Sequence, residues 1–374
     1  MTTIVPAAVK PRRRRTTDTM THGQLVMRRF RKHKLAVISL GILIVFYALA
    51  IFCEFFAPYG AAERFAAAPT APPQAIRLYD GATGVHLQPF VYGYGKERDK
   101  VTYRAIYVPD PNKLTPIQFF VHGSPYSFFG LVTSDVHFFG SSKGQVFLFG
   151  TDSLGRDIFS RTLYGARISM TIGLVGVALS LLLGILLGGI AGYFGGIVDT
   201  IVMRMVDLFI SIPTLPLWMG LAAAVPRDWS VAQTYFAMTL ILSLFGWTHL
   251  ARVIRGKFLS LRDEDYVLAA KLSGGSEAYV ILRHLVPAFT SYIIVSLTLA
   301  IPNMILGETV LSFLGLGLQP PAVSWGTLLQ DAQNVQAIAQ SPWFLLPALP
   351  VIITVLAFNF LGDGLRDAAD PYSS

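Results

Sequence analysis

A chain of 374 residues that is 53% hydrophobic and only 14% charged is unlike a soluble domain, where about a quarter of residues are charged, and is expected to be an integral membrane protein. Its formal net charge of +8 includes a basic block at Lys10, Arg12, Arg13, Arg14, Arg15, Arg28, Arg29, Arg31, Lys32 and Lys34; directly before a long apolar run, such a block reads as a topology determinant rather than a nucleic-acid arm. The single cysteine, Cys53, excludes an intrachain disulfide.

In chain order, residues 1–34 form the basic N-terminal segment and a first membrane helix follows at 35–57, since about twenty apolar residues cross the hydrocarbon as a helix. That run is too long for a secretion signal and ends in Glu54-Phe-Phe-Ala-Pro-Tyr, which offers no small-residue cleavage site. Residues 58–150 are expected to be an extracytoplasmic, β-rich insertion. "IRLYD-GATG-VHLQPFVYGYG", "KVTYRAIYV" and "QVFLFG" read as strands, the first folding back around Asp80-Gly81-Ala82-Thr83-Gly84. His86, His122 and His137 lie there at irregular spacings and read as surface or packed histidines, not metal ligands. Gly155-Arg156-Asp157 reads as a short amphipathic element lying on the membrane before the second span.

The core, 151–366, is expected to hold five more membrane helices at 167–192, 205–225, 232–254, 288–311 and 343–362, with 367–374 as a C-terminal tail. Asp207, Pro213 and Pro216 interrupt the third of the six spans. Pro213, Pro216 and Pro302 are expected to kink their helices, because proline removes a ladder hydrogen bond. Lys and Arg favour the cytoplasmic side. The N-terminus, the 193–204 loop and the 252–286 loop, with Arg252, Arg255, Lys257, Arg262, Lys271 and Arg283, are therefore expected inside. The 315–341 loop, with no Lys or Arg, is expected outside, and both termini cytoplasmic. Arg156, Arg161 and Arg167 run against the rule.

Gly184, Gly188, Gly192 and Gly196 recur every fourth residue on one helical face. Such a face admits close helix approach in lipid, and is expected to pack within the subunit or against a partner rather than line a pore. Ionisable residues in spans are functional suspects, so Glu308 and Asp207 are candidates for a translocation path. Glu308 equally suits orienting the "LSFLGLG" exit, and Asp207 a pairing with Arg204. His249 reads as packed or interfacial.

The 252–286 loop contains "KLSGGSEAY" at 271–279. Leu-Ser-Gly-Gly opens the signature loop with which an ABC ATPase grips the γ-phosphate, but no Gly-x-x-x-x-Gly-Lys-Ser/Thr phosphate cradle exists anywhere in the chain. Val286-Pro-Ala-Phe and a membrane helix follow instead. With no His-Glu-x-x-His either, the chain is expected to have no catalytic site, metal site or cofactor of its own. Asp263-Glu-Asp265 suits a helix start, where acids meet the positive end of the dipole. Tyr266, Ala269, Ala270 and Ser273 then form a stripe of mostly small residues, Gly274-Gly275 stop the helix, and Ser276 caps a second one running to Pro287. Such an exposed small-faced helix suits docking against another protein.

"DYVLAAKLSGGSEAYVILRHLVP" resembles the coupling loop of binding-protein-dependent ABC importer permeases, whose pattern is Glu-Ala-Ala, three residues, Gly, nine residues, Ile-x-Leu-Pro. Ala269, Ala270, Gly274 and Pro287 match in type and spacing, whereas Leu268 replaces the glutamate, His284 the isoleucine and Val286 the leucine. Asp265-Tyr266 and Arg283-His284 resemble the dipeptide and oligopeptide branch of that family. So do "RRFRKHKLAVISLGIL", "GTDSLGRDIFSRTLYGARISM" and "GETVLSFLGLGLQPPAVSWG", leaving 61–147 unmatched. The resemblance implies an all-α permease of the type I ABC importer fold with six transmembrane helices, in a bacterial inner membrane. It also implies a second related permease, two ABC ATPases or one fused pair carrying ATP and Mg, and an extracytoplasmic substrate-binding protein. The coupling residues would be Asp265, Tyr266, Ala269, Ala270, Gly274, Gly275, Arg283, His284 and Pro287, and 155–157 would help a binding protein or partner permease dock. Peptide is the implied cargo; close relatives carry nickel chelates, opine-like compounds or oligosaccharides. A membrane-anchored sensor or enzyme with an external ligand-binding segment is the alternative of another class. A secondary transporter would want an inverted repeat, and none is evident.

Overall fold

The computed structural model describes residues 22–81, 84–98 and 105–369. Lys10 and Arg12 to Arg15, the turn residues Ala82 and Thr83, and the tail from 370 onward lie outside the described residues.

A short helix α1 (His22–Lys32) precedes the first membrane helix α2 (Lys34–Ile51). His33 joins them: its Nδ1 accepts from the Ala36 amide at 3.2 Å, capping α2, and its ring faces Asp367 near the C-terminus. α2 is apolar on every side, as membrane helices are. Ala36, Leu43 and Ala50 are buried, while Ile38, Ile44, Val45 and Ile51 face outward. One further turn, α3 (Cys53–Phe56), ends the span.

The insertion is β-rich, but its strands are not all where the sequence suggested. β1 (Arg77–Asp80), β2 (Gly84–Arg98) and β3 (Ala105–Pro116) form an antiparallel sheet in that order. β4 (Gln118–Phe128) and β5 (Val132–Gly140) form a separate hairpin. "QVFLFG" at 145–150 is not a strand: its Val146 and Phe147 are buried as an irregular connector. There the Phe147 carbonyl accepts from Gln74 N at 2.9 Å, and the Phe147 amide donates to Gln74 Oε1 at 2.7 Å. The insertion is tied to the membrane core through Thr70 N to the Asp152 carbonyl, 2.9 Å, and Tyr59 N to Ser160 Oγ, 3.2 Å.

The second membrane helix, α4 (Ile158–Phe194), begins nine residues before the expected boundary of 167. Among the described residues, Gly155-Arg156-Asp157 is not a helical element of its own. Residues 152–157 instead form a tight turn, with Asp157 capping α4 through Ser160 N at 2.8 Å. The expected 193–204 loop and third span are replaced by α5 (Gly196–Ser211) and α6 (Thr214–Ala223), bent by 87°. The break has a local cause: Pro213 lacks an N–H and biases Ile212 to extended backbone, found at φ −91° and ψ 129°. α7 (Val231–Leu261) starts at a Ser230 and Gln233 capping box and runs past the expected end at 254. The loop after it holds α8 (Asp265–Leu272), α9 (Glu277–Val280), a π-turn at Ile281–Leu285 and α10 (Val286–Ala288). α11 (Thr290–Phe313) carries Pro302 inside it. Two short helices, α12 (Trp325–Leu329) and α13 (Val335–Gln340), lead to α14 (Ala348–Ala369).

Among the described residues, five helices are long and apolar enough to cross a membrane, and up to six if the bent pair is one span. The core joins α2, α4, α11 and α14 around Met170, Ile305, Leu311 and Phe358. Outward-facing Leu182, Phe236, Leu240 and Ile352 cover the helices with the apolar surface that lipid requires.

Candidate coupling surface and intramembrane junctions

The α8 to α10 segment is a folded knot with an apolar floor. Val267, Val280, Leu285 and Phe289 are buried against Leu250, Ile254 and Phe258 of α7. The end of α8 is a Schellman cap: Gly275 N donates to the Ala270 carbonyl at 3.1 Å and Gly274 N to the Lys271 carbonyl at 3.0 Å. Gly274 takes φ +82°, left-handed geometry that only glycine adopts cheaply. Ser276 Oγ accepts from Tyr279 N at 3.3 Å and starts α9. The fold brings the two arms together, since the His284 ring lies 5.4 Å from Tyr279 and 6.5 Å from Tyr266. Asp265, Ala269, Arg283 and Pro287 are exposed and Ala270 is half-buried at the rim.

The small-residue stripe is not the whole outer face. Leu272 is 89% exposed, with Leu268, Tyr279 and Leu282 also open. Large exposed apolar side chains grouped on one loop make a candidate contact site. Sequence reasoning missed these residues because apolar side chains are assigned to the core by default. Their signal was positional: Leu268 and Leu272 stand one and five residues after Val267, off the face that Val267 and Ala270 turn inward.

Three of the four spaced glycines form a seam between α4 and α7. A β-carbon on Gly184 would meet Leu250, one on Gly188 would enter the Ala251 backbone, and one on Gly192 would lie 2.7 Å from the Arg255 carbonyl oxygen. Gly196 does not belong to this face; α4 ends at Phe194 and Gly196, in open space, begins α5.

Arg255 clamps Asp199 with Nε and Nη2, and Arg252 Nη2 lies 2.7 Å from Asp207 Oδ1, so both pairs bridge α5 to α7. Asp207 thus pairs with Arg252, not with Arg204. Glu308 is fully buried. Ser312 Oγ donates to its Oε1 at 2.8 Å and Ser169 Oγ to its Oε2 at 2.9 Å. Those serines in turn accept from Leu318 N, 3.0 Å, and Trp325 N, 3.1 Å. One carboxylate therefore joins α4, α11, the "LSFLGLG" exit and α12. His249 is exposed.

The three arginines that run against the charge rule share two carboxylates. Arg156 and Arg161 both bond Asp152. Arg167 holds both oxygens of Glu54 at 2.6 Å. No group of three or more His, Cys, Asp or Glu arranged to hold a metal occurs among the described residues. Gly140-Ser-Ser-Lys-Gly144 has the spacing of a serine nucleophile motif, but it lies on an exposed loop rather than a strand-to-helix elbow, and the Ser142 hydroxyl donates to Gln118 Oε1 at 2.9 Å, not to a histidine.

Comparison with known proteins adds two family matches. The family described as "binding-protein-dependent transport system inner membrane component" matches residues 180–372. The "N-terminal TM domain of oligopeptide transport permease C" matches residues 21–73. The oligopeptide transport system permease protein OppC of Bacillus subtilis is 41% identical over 224 residues, 60% of this chain and 71% of that protein. The dipeptide transport system permease protein DppC of the same organism is 40% identical over 225 residues, 60% of this chain and 68% of that protein. OppC of Haemophilus influenzae is 39% identical over 224 residues, 60% of this chain and 70% of that protein.

Proposed function

The chain belongs to the family of binding-protein-dependent transport system inner membrane components, and from that premise we propose that it is a permease subunit of an ATP-driven importer of di- or oligopeptides. The names of its relatives, oligopeptide and dipeptide permeases, support the cargo class. In this reading six transmembrane helices, the bent α5 and α6 counting as one, place both termini in the cytoplasm. A second related permease completes the pathway, and an external binding protein delivers peptide. Two ABC ATPases, or one fused pair, dock on the cytoplasmic side and carry the ATP and Mg. The division at 1–34, 35–57, 58–150, 151–366 and 367–374 follows the same plan.

The observation that carries the proposal is the α8 to α10 knot. It presents Asp265, Tyr266, Ala269, Ala270, Gly274, Gly275, Arg283, His284 and Pro287 around exposed apolar side chains. Its floor is fixed to α7, and α7 is seamed to α4 by backbone contact at Gly188. Force applied at the knot therefore reaches two membrane helices without an intervening flexible joint. Glu308 acts in this scheme as the tie that orients the exit turn, and Asp207 as a bridge from α5 to α7.

Uptake of labelled peptide into cells carrying the whole transporter tests the reading. Ala270→Arg is expected to abolish uptake and release the ATPases while leaving the permease in the membrane. Uptake that survives Ala270→Arg, or a parent importer that takes up nickel chelates, opines or oligosaccharides but no peptide, removes respectively the coupling or the cargo assignment.

A further inference from the structure

The β4 and β5 hairpin has no part in coupling, yet it is placed with care. It packs against residues 52–57, at the end of the first membrane helix. His137 Nδ1 lies 2.5 Å from the Ala57 carbonyl oxygen. The Phe138 ring packs against Phe56 at 5.4 Å and Phe55 at 5.9 Å, and Phe128 lies 6.0 Å from Phe52. Of these contacts, the one made nearest the turn, by Phe128, falls on the residue farthest back along the chain, Phe52, at the end of α2.

The turn therefore reaches the level of the α2 terminus. The Phe129 ring covers Arg167 at 4.8 Å. Arg167 in turn donates to the carbonyls of Ala50 at 3.1 Å and Ile51 at 2.7 Å, which belong to a helix long and apolar enough to cross a membrane. At that level Phe129, Leu131 and Val132 are 63%, 87% and 61% exposed. No Asp, Glu, Lys or Arg occurs between Lys113 and Asp135. Polarity returns in steps away from the turn. Tyr126 donates its hydroxyl to the Val136 carbonyl at 2.6 Å, and beyond it the exposed His122 and Asp135 pair at 3.0 Å. An apolar tip, a tyrosine collar and then a hydrogen-bonded histidine and aspartate is the order in which a protein meets a bilayer interface.

We propose that the turn at 128–132 is a lipid-inserted foot, seating the external insertion in the outer leaflet. Lipid is the occupant because the exposed tip continues the outward-facing apolar surface of Ile44, Val45, Ile51 and Phe52. A protein arriving from water would have to reach past the polar His122 and Asp135 level of the hairpin. The inference rests on the membrane placement of α2 and α4 and holds whatever the cargo.

A spin label at Leu131→Cys tests it in the full-length chain, reconstituted with its partner subunits into bilayers of phosphatidylethanolamine and phosphatidylglycerol. The one native cysteine, Cys53, is buried and stays in place. A label at Asp135→Cys serves as the reference. The ratio of collisions with oxygen to collisions with water-soluble chromium oxalate is expected to be several-fold higher at 131 than at 135, and brominated acyl chains are expected to quench a fluorophore at 131 only. Equal ratios at the two positions overturn the proposal by placing the tip in water. A label at 131 shielded from both oxygen and chromium overturns it as well, since a protein then covers the tip. Transport measured on the same samples is read separately, so loss of the importer assignment and loss of the foot are distinguishable.

Discussion

Asp157 shows how one residue can make the outer junction sensitive to pH. Its Oδ2 accepts from the Ser160 amide and hydroxyl, while Oδ1 is buried without a partner. Burial pushes its carboxyl from 3.8 up to about 7, opposed by the Ser160 hydrogen bonds and assisted by the Asp152 charge. Between those two values the folded chain keeps a proton that the unfolded chain has released. The residue's contribution to stability is thus present at acid pH and falls as pH rises through 7. Asparagine caps a helix as well as aspartate and cannot ionise. Asp157→Asn is therefore expected to raise thermal stability relative to the parent at about pH 8 and to gain less at about pH 5. Melting curves in detergent at the two pH values check the sign; a gain larger at acid pH contradicts it. Sequence alone marked Asp157 only as part of a surface element. What it lacked was the tight turn that folds 151 back onto 157 and buries the carboxylate.

At the scale of elements, the pairing of α4 with α7 is the joint through which the proposed coupling would pass. The four-residue glycine spacing announced a close helix contact in lipid, but not its partner, because a spacing carries no information about what lies opposite. The partner is α7, with Ala251 and Arg255 backbone filling the space that side chains would need. Gly188→Leu is expected to cost at least the 1–3 kcal/mol typical of overpacking, seen as lower yield of folded protein in membranes and an aggregated peak in size-exclusion chromatography. Unchanged yield and uptake would mean that α4 and α7 part more easily than their contact implies. The bend between α5 and α6 was legible only as an interruption. Pro213 fixes where the chain breaks, whereas the 87° angle is a tertiary outcome, alongside two aspartates of α5 held by Arg252 and Arg255 of α7.

For the whole molecule, orientation is the property on which the functional reading stands. Leu272, at the tip of the knot, is exposed on a segment that the distribution of Lys and Arg assigns to the cytoplasm. Leu272→Cys is expected to react with a membrane-impermeant maleimide in inverted vesicles but not in intact cells, and binding of the ATPases is expected to protect it. Labelling from outside the cell would place the knot on the wrong side for any ATP-driven partner. The sequence by itself determined the membrane class, the approximate order of apolar segments, the glycine stop at 274 and the β character of the insertion. Each of these depends on local composition, spacing or backbone preference. Only the tertiary structure decided that Glu308 is a buried four-way tie, that Asp207 meets Arg252, that "QVFLFG" is a connector and that a second hairpin at 118–140, besides the one folding back at 80–84, packs against the end of the first span. Those outcomes join residues tens to more than a hundred positions apart, and no local pattern specifies which distant group arrives to satisfy a buried carboxylate or cover an apolar strand.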